Sequence, residues 1–219
     1  MSIIDNGQVL GSFQGVSSAV PLVGIILNEY EGFGNLGQYK YNPTNMGGNP
    51  IMPGRPVKVI NQIGAETSTA GIDCLNSVTG EITARARAMV DLSGFLAMSN
   101  TNTVPLAGGE AVPVVGLLVK VATLGSGLKM WLKVVDSDTS LQGVNINIPL
   151  TYDFTSGTGG VKAAGLKDAV LPGVLHSTLT DAKVMNFDDS TGITSWIPCK
   201  AVLVELIGGV INYVIEEPK

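Results

Sequence analysis

The sequence predicts an all-β protein: β-sandwich or barrel-like modules with an extended N-terminal arm, a long Gly/Pro-rich loop and little helix. Three observations carry this. Apolar residues recur at every second position in several short runs, as half-buried strands require. Turn signals separate those runs: Asn42-Pro43, Gly47-Gly48, Asn49-Pro50, Thr79-Gly80, Gly108-Gly109, Gly125-Ser126-Gly127 and Gly157–Gly160. Helical periodicity is weak.

The elements follow in chain order. Residues 1–20 are small and polar, with Gly7, Gly11 and Gly15, and read as an extended arm. Residues 28–56 are rich in Gly and Pro with few large apolar side chains, and read as a long loop. Pro53-Gly54-Arg55-Pro56 is a turn, and Val57-Lys58-Val59-Ile60 is the strand that starts from it. Ile82, Ala84 and Ala86 alternate with Thr83, Arg85 and Arg87. Ala88–Met98 is a candidate helix weakened by Gly94. Val114–Ala122 and Val202–Leu206 read as buried strands. Met130, Leu132 and Val134 alternate with Trp131, Lys133 and Val135.

Val144, Ile146, Ile148, Leu150 and Tyr152 share one strand face opposite Asn145, Asn147, Pro149 and Thr151. Pro149 cannot donate to a ladder, so this strand belongs at an edge or bulge. Val161–Val170 is the better candidate for a short helix. Val210–Ile215 follows Gly208-Gly209 and implies a C-terminal hairpin. The expected organisation is an arm and loop at 1–56, a compact β module at 57–124, and a second β module or layer at 125–219.

Composition narrows the function. Of 219 residues, 45% are hydrophobic and 14% charged, which is too apolar for a disordered chain. One His and two Cys cannot build a Cys/His zinc site. A net charge of −5 argues against a nucleic-acid surface. The apolar stretches Val20–Leu27, Val112–Leu124 and Ala201–Ile215 are shorter than the roughly 20 residues that cross a bilayer. Met1–Asp5 lacks the basic start of a secretory signal, so cytosolic synthesis without secretion is expected, with no membrane partner. Cys74 and Cys199 are expected as buried free thiols; a bond between them stays open.

The motifs that could carry chemistry lack essential parts. Gly32-Phe33-Gly34-Asn35-Leu36-Gly37 has the dinucleotide spacing, which needs a following helix and an acid about 20 residues on. Asn42-Pro43 blocks that helix and no acid lies between Gly37 and Glu66, so a flexible glycine loop is expected. Asp136-Ser137-Asp138 opens like a calcium loop, but Leu141 and Asn147 stand where Gly and Glu are needed. A solvated turn is expected there. His176 is the one histidine, and no nucleophile elbow accompanies it. Asp188-Asp189 and Glu216-Glu217 read as solvated charge. No catalytic, metal or cofactor residue emerges, so the chain is not expected to be an enzyme or to carry a cofactor.

Arg85 and Arg87 share one face of a predicted strand, opposite small Ala84 and Ala86. They form either a solvent face or a salt-bridge patch onto an acidic partner. With Arg55, Tyr39 and Tyr41 they are the candidate inter-subunit contacts. High apolar content with little charge also favours burial against other copies.

Several segments resemble tailed-bacteriophage head proteins of the small β-rich cement or decoration type. These are Pro53–Val59, the small residues around Glu66–Ile72, Glu81–Val90 and Ala107–Gly116, with GRPVKVI and GEAVPVVGLLVKV the closest phrases. The resemblance covers about a third of the chain. It implies a virion protein on the capsid surface, a homo-oligomer with the trimer favoured, binding the major capsid protein lattice without direct nucleic-acid contact. Two alternatives remain: a tail-tube or other head-tail subunit, and a carbohydrate-binding or adhesin-like sandwich using Trp131 and Trp196.

Overall fold

A tight turn at Met52–Arg55 sets the frame. Pro53 and Gly54 occupy its centre, Gly54 takes φ +75°, and the Arg55 amide donates to the Met52 carbonyl at 3.2 Å. That is a type II turn, whose third residue needs the left-handed region that glycine adopts without strain. The computed structural model describes residues 20–27, 36–43, 50–61, 80–98, 103–105, 111–113, 118–136, 138–142 and 148–208. The expected arm up to residue 19, Cys74, the strand positions 144–147 and the C-terminal hairpin lie outside the described residues.

Five strands close into a barrel. They are β1 (Leu36–Tyr41), β2 (Pro56–Asn61), β3 (Gly80–Arg85), β4 (Gly94–Leu96) and, after the paired β5 (Thr103–Pro105) and β6 (Ala111–Pro113), β7 (Leu118–Thr123). Around the barrel the order is β1-β3-β2-β4-β7, and β7 pairs back onto β1. β1 and β3 run parallel; every other neighbour is antiparallel. The interior holds Tyr39, Tyr41, Ile51, Val57, Ile82, Leu96, Val119 and Val121.

Residues 36–41 therefore depart from the expected loop, while 50–55 remain loop and turn. The barrel fills its core with two tyrosines from β1 where aliphatic residues would have signalled a strand. The Tyr41 hydroxyl accepts a hydrogen bond from the Ile51 amide at 2.7 Å, which satisfies both groups inside the core. Gly37, the last glycine of the dinucleotide-like spacing, lies in β1 opposite Val121. A Cβ there would collide with the Tyr39 ring, so this glycine makes room for an aromatic side chain two residues along.

The remaining strands build an open four-stranded sheet and a separate two-stranded pair. They are β8 (Lys129–Lys133), β9 (Leu150–Tyr152), β10 (Val161–Ala163), β11 (Gly173–Leu175), β12 (Thr180–Asp188) and β13 (Ile193–Leu206). β13 is the spine. One edge takes β12 and then β11, and the other takes β8 along Ala201–Glu205. The β9–β10 pair joins through bridges from Val161 to Val134 and from Leu150 to Leu171.

A strap at residues 21–27 binds both parts. It bridges Leu22 to Lys183 of β12 and Ile26 to Met130 of β8, so it spans two edges that β13 keeps apart. Val23 is sealed between them against Ala182, Val184 and Ala201. The Gly24 carbonyl accepts from the Met98 amide at 2.9 Å, next to the barrel. Gly24, at φ +95°, rests against the Pro53–Gly54 turn; a Cβ on it would lie 2.7 Å from the Gly54 nitrogen.

The largest core cluster runs from Ala86, Phe95 and Ala122 through Leu128, Met130, Leu132 and Val134 to Tyr152, Val202, Val204 and Leu206. It crosses the turn at Gly125, where the sequence placed a boundary between two modules. Each fully buried Leu or Val here contributes about 1.5–3 kcal/mol of transfer free energy. Both helical candidates are replaced. Ala88–Met98 forms a single 3-10 turn at Met89–Asp91 and then β4, whose Gly94 packs directly on the Ala122 carbonyl. Val161–Val170 opens with β10, because Val161 must pair with Tyr152 and bridge to Val134.

Candidate functional site

The barrel and the β12–β13 hairpin flank a cleft of about 510 Å³. Arg55, Arg85 and Arg87 line it together with Met52, Phe154 and Phe187. These are the three arginines of the entire sequence. Each arrives for a local reason. Arg55 closes the type II turn. Arg85 ends β3 just after a one-residue register shift opposite Lys58 and Val59. Burial alternates only as far as Ile82, and past the shift Arg85 is half-buried rather than on an open outer face. Arg87 follows two residues on and is exposed.

Arg55 is 8% exposed. Its guanidinium lies close enough to the Tyr152 hydroxyl for its charge to be felt there. Tyr152 is part of an aromatic series, 5.5 Å from Phe95 and 5.0 Å from Phe154 between ring centres. Burial pushes the Tyr152 hydroxyl up, opposed by the charges of Arg55 and Arg85. Burial lowers Arg85, and the neighbouring Arg55 charge lowers it further; the Tyr152 hydroxyl opposes this and Arg87 adds to it. The ion pairs among the described residues use Lys58, Lys133, His176 and Lys200, and none uses an arginine.

The structure thus unites Arg55, Arg85 and Arg87 in one cleft and separates Tyr39 and Tyr41 from them. The two tyrosines are 2% and 1% exposed inside the barrel and present no surface to a partner. Sequence reasoning missed the cleft's apolar wall from Phe154 and Phe187. It also missed the signal that all three arginines, against ten lysines spread along the sequence, fall in two short segments.

A second surface lies on the hairpin. β12 pairs with Ile193–Ala201 along one edge of β13, and no described strand pairs the opposite edge of Ile193–Cys199. Ile193 and Ile197 project there at 40% and 39% exposure. The tip is stiffened by Asp188, whose carboxylate accepts from the Ser190 amide and hydroxyl at 2.9 and 2.7 Å. Those bonds hold the Asp188 carboxyl below the usual carboxylate value.

The other motifs have structural uses. The Asp138 carboxylate accepts from the Ser140 amide at 2.7 Å, a local turn. His176 Nε2 lies 2.5 Å from Glu205 across the β11–β13 pair. The Ser177 hydroxyl accepts from the Leu203 amide at 2.8 Å, so it serves the backbone. Trp131 packs on the Val23 cluster, and Trp196 packs with Phe187 and Met98 on Met52 and Met185. Neither tryptophan forms an open aromatic platform. Cys199 is a free, half-buried thiol that burial pushes up to about 11. Among the described residues, no three His, Cys, Asp or Glu side chains are grouped to hold a metal ion. In comparisons with known proteins, no family model, curated protein or solved structure matches the chain.

Proposed function

We propose that the chain is a structural virion subunit, a cement or decoration protein that docks on the major capsid protein lattice of a tailed phage. The observation that carries this reading is the β12–β13 hairpin. It is a two-stranded hairpin with a tight tip, one edge unpaired among the described residues, and two exposed isoleucines on one face. Such an edge offers main-chain pairing and apolar burial to a neighbouring subunit. The resemblance of Pro53–Val59 and Ala107–Gly116 to head proteins supports the same reading. In this role the protein works mechanically. Contacts between copies, with trimers favoured, and contacts to the lattice hold the shell against internal pressure.

Co-sedimentation with expanded capsids of the encoding phage tests it. Wild-type protein is expected in the pellet, and an Ile193→Asp/Ile197→Asp variant in the supernatant with its circular dichroism unchanged. Wild-type protein left in the supernatant refutes the reading.

The closed barrel favours one second reading, a tail-tube or other head-tail subunit in which barrels stack as rings. Negative-stain images separate the two: tubes or hexameric rings against trimers.

A further inference from the structure

We infer that the cleft lined by Arg55, Arg85 and Arg87 is a binding site for an oxyanion, a phosphate or carboxylate group carried on an apolar or aromatic body. Four observations carry this. All three arginines of an acidic chain with net charge −5 converge on one cavity, while none of the described lysines lines it. No carboxylate among the described residues pairs with them; Asp189, on the hairpin at the cleft, forms no ion pair with any of the three. Arg55 is almost fully buried, so packing restricts the directions its fork can take. Phe154 and Phe187 supply an apolar wall beside the charges.

The physical argument is one of compensation. Like charges gathered in a partly desolvated cleft repel one another, and burying a charge without a partner is costly. A bound anion removes that cost. A guanidinium offers five N–H donors in a planar fork that matches carboxylate and phosphate bidentately, which a lysine cannot do. Two or three forks around one anion complete its shell. The cleft volume of about 510 Å³ falls within the range of small-ligand sites, roughly 300–1,000 Å³, and leaves room for a body beyond the anionic head.

The anion can be free in solution or borne on another chain, and the two sources are separable. Isothermal titration and thermal melts at constant ionic strength, with chloride as the balancing anion, use three probes: inorganic phosphate, citrate, and an octapeptide of alternating Glu and Phe. Phosphate or citrate binding that falls at least tenfold in Arg85→Gln and Arg87→Gln supports the site and identifies a free ligand. Peptide binding alone, lost in the same variants, supports the site and places the anion on a partner chain. Arg87 is exposed, so its variant reports on binding even where Arg85→Gln disturbs the fold. Lys167→Gln, on an exposed turn away from the cleft, is the control and should bind as wild type. Absence of binding by all three probes overturns the inference, as does binding that neither arginine variant weakens. The result does not depend on capsid docking, which the co-sedimentation experiment reads separately.

Discussion

The barrel and the β13 sheet answer the same problem in opposite ways. Each must deal with strand edges that would otherwise pair with any passing chain. The barrel removes its edges by closure, and its strands are short, three to six residues each. The sheet has a spine of 14 residues, covers one end of it with β8 and the strap, and leaves the other end as a hairpin with an edge that no described strand pairs. The barrel is thus the inert body and the hairpin the reactive limb. The arginine cleft lies where the two meet.

Four experiments sharpen or break this contrast. The largest effect is expected at the seam. Gly54→Val puts a β-branched residue at φ +75° and drives its Cβ into the Val23 side chain. It should cost about 3 kcal/mol or more in urea unfolding. One shared transition for tryptophan fluorescence and far-UV dichroism is expected, because the core cluster crosses between the two parts. Two separated transitions would break the picture of a continuous core.

Cys199 comes next. Burial raises its thiol from 9.0 to about 11, against the opposing charge of nearby Lys133. The thiolate is the reactive form. In a Cys74→Ser background, iodoacetamide labelling should climb about tenfold per pH unit and level off only near pH 11. A plateau near pH 9 would mean that the base of the hairpin is as open as its tip.

Within the barrel, Tyr41→Phe keeps the ring but strips the Ile51 amide of its acceptor. A buried donor left unpaired costs about 1–3 kcal/mol, measurable as a lower urea midpoint with unchanged slope. The smallest effect is expected on the limb. Ile197→Ser should change stability by no more than about 0.5 kcal/mol. A large loss would show that the exposed isoleucine supports the fold itself rather than contacts with another subunit.

The sequence announced the strands whose pattern is local. Val57–Ile60 and the alternation of Met130, Leu132 and Val134 are where periodicity placed them, and the Pro53-Gly54 turn launches β2 as expected. What stayed hidden depends on distant partners. β1 looked like loop because tyrosine and glycine do the work of aliphatic residues, and their fit shows only once Gly37 meets the Tyr39 ring. β4 looked helical because Gly94 earns its place by contact with Ala122 across the barrel. The arginines were legible as a charged pair, yet the register shift that turns Arg85 from an outer face to a cleft wall leaves no local mark. Arg55 joined them only through the burial of a turn that read as flexible.

The strap at residues 21–27 has a consequence for how the chain is made. Leu22 and Val23 pair with Lys183, near the opposite end of the sequence. Such pairings close very long loops and form late. During synthesis the strap emerges early, but its berth between β12 and β8 does not exist until β12 has left the ribosome. Its apolar residues must stay exposed through most of translation. The strap therefore locks late, and a product cut short before residue 183 would lack the partner that Val23 pairs with.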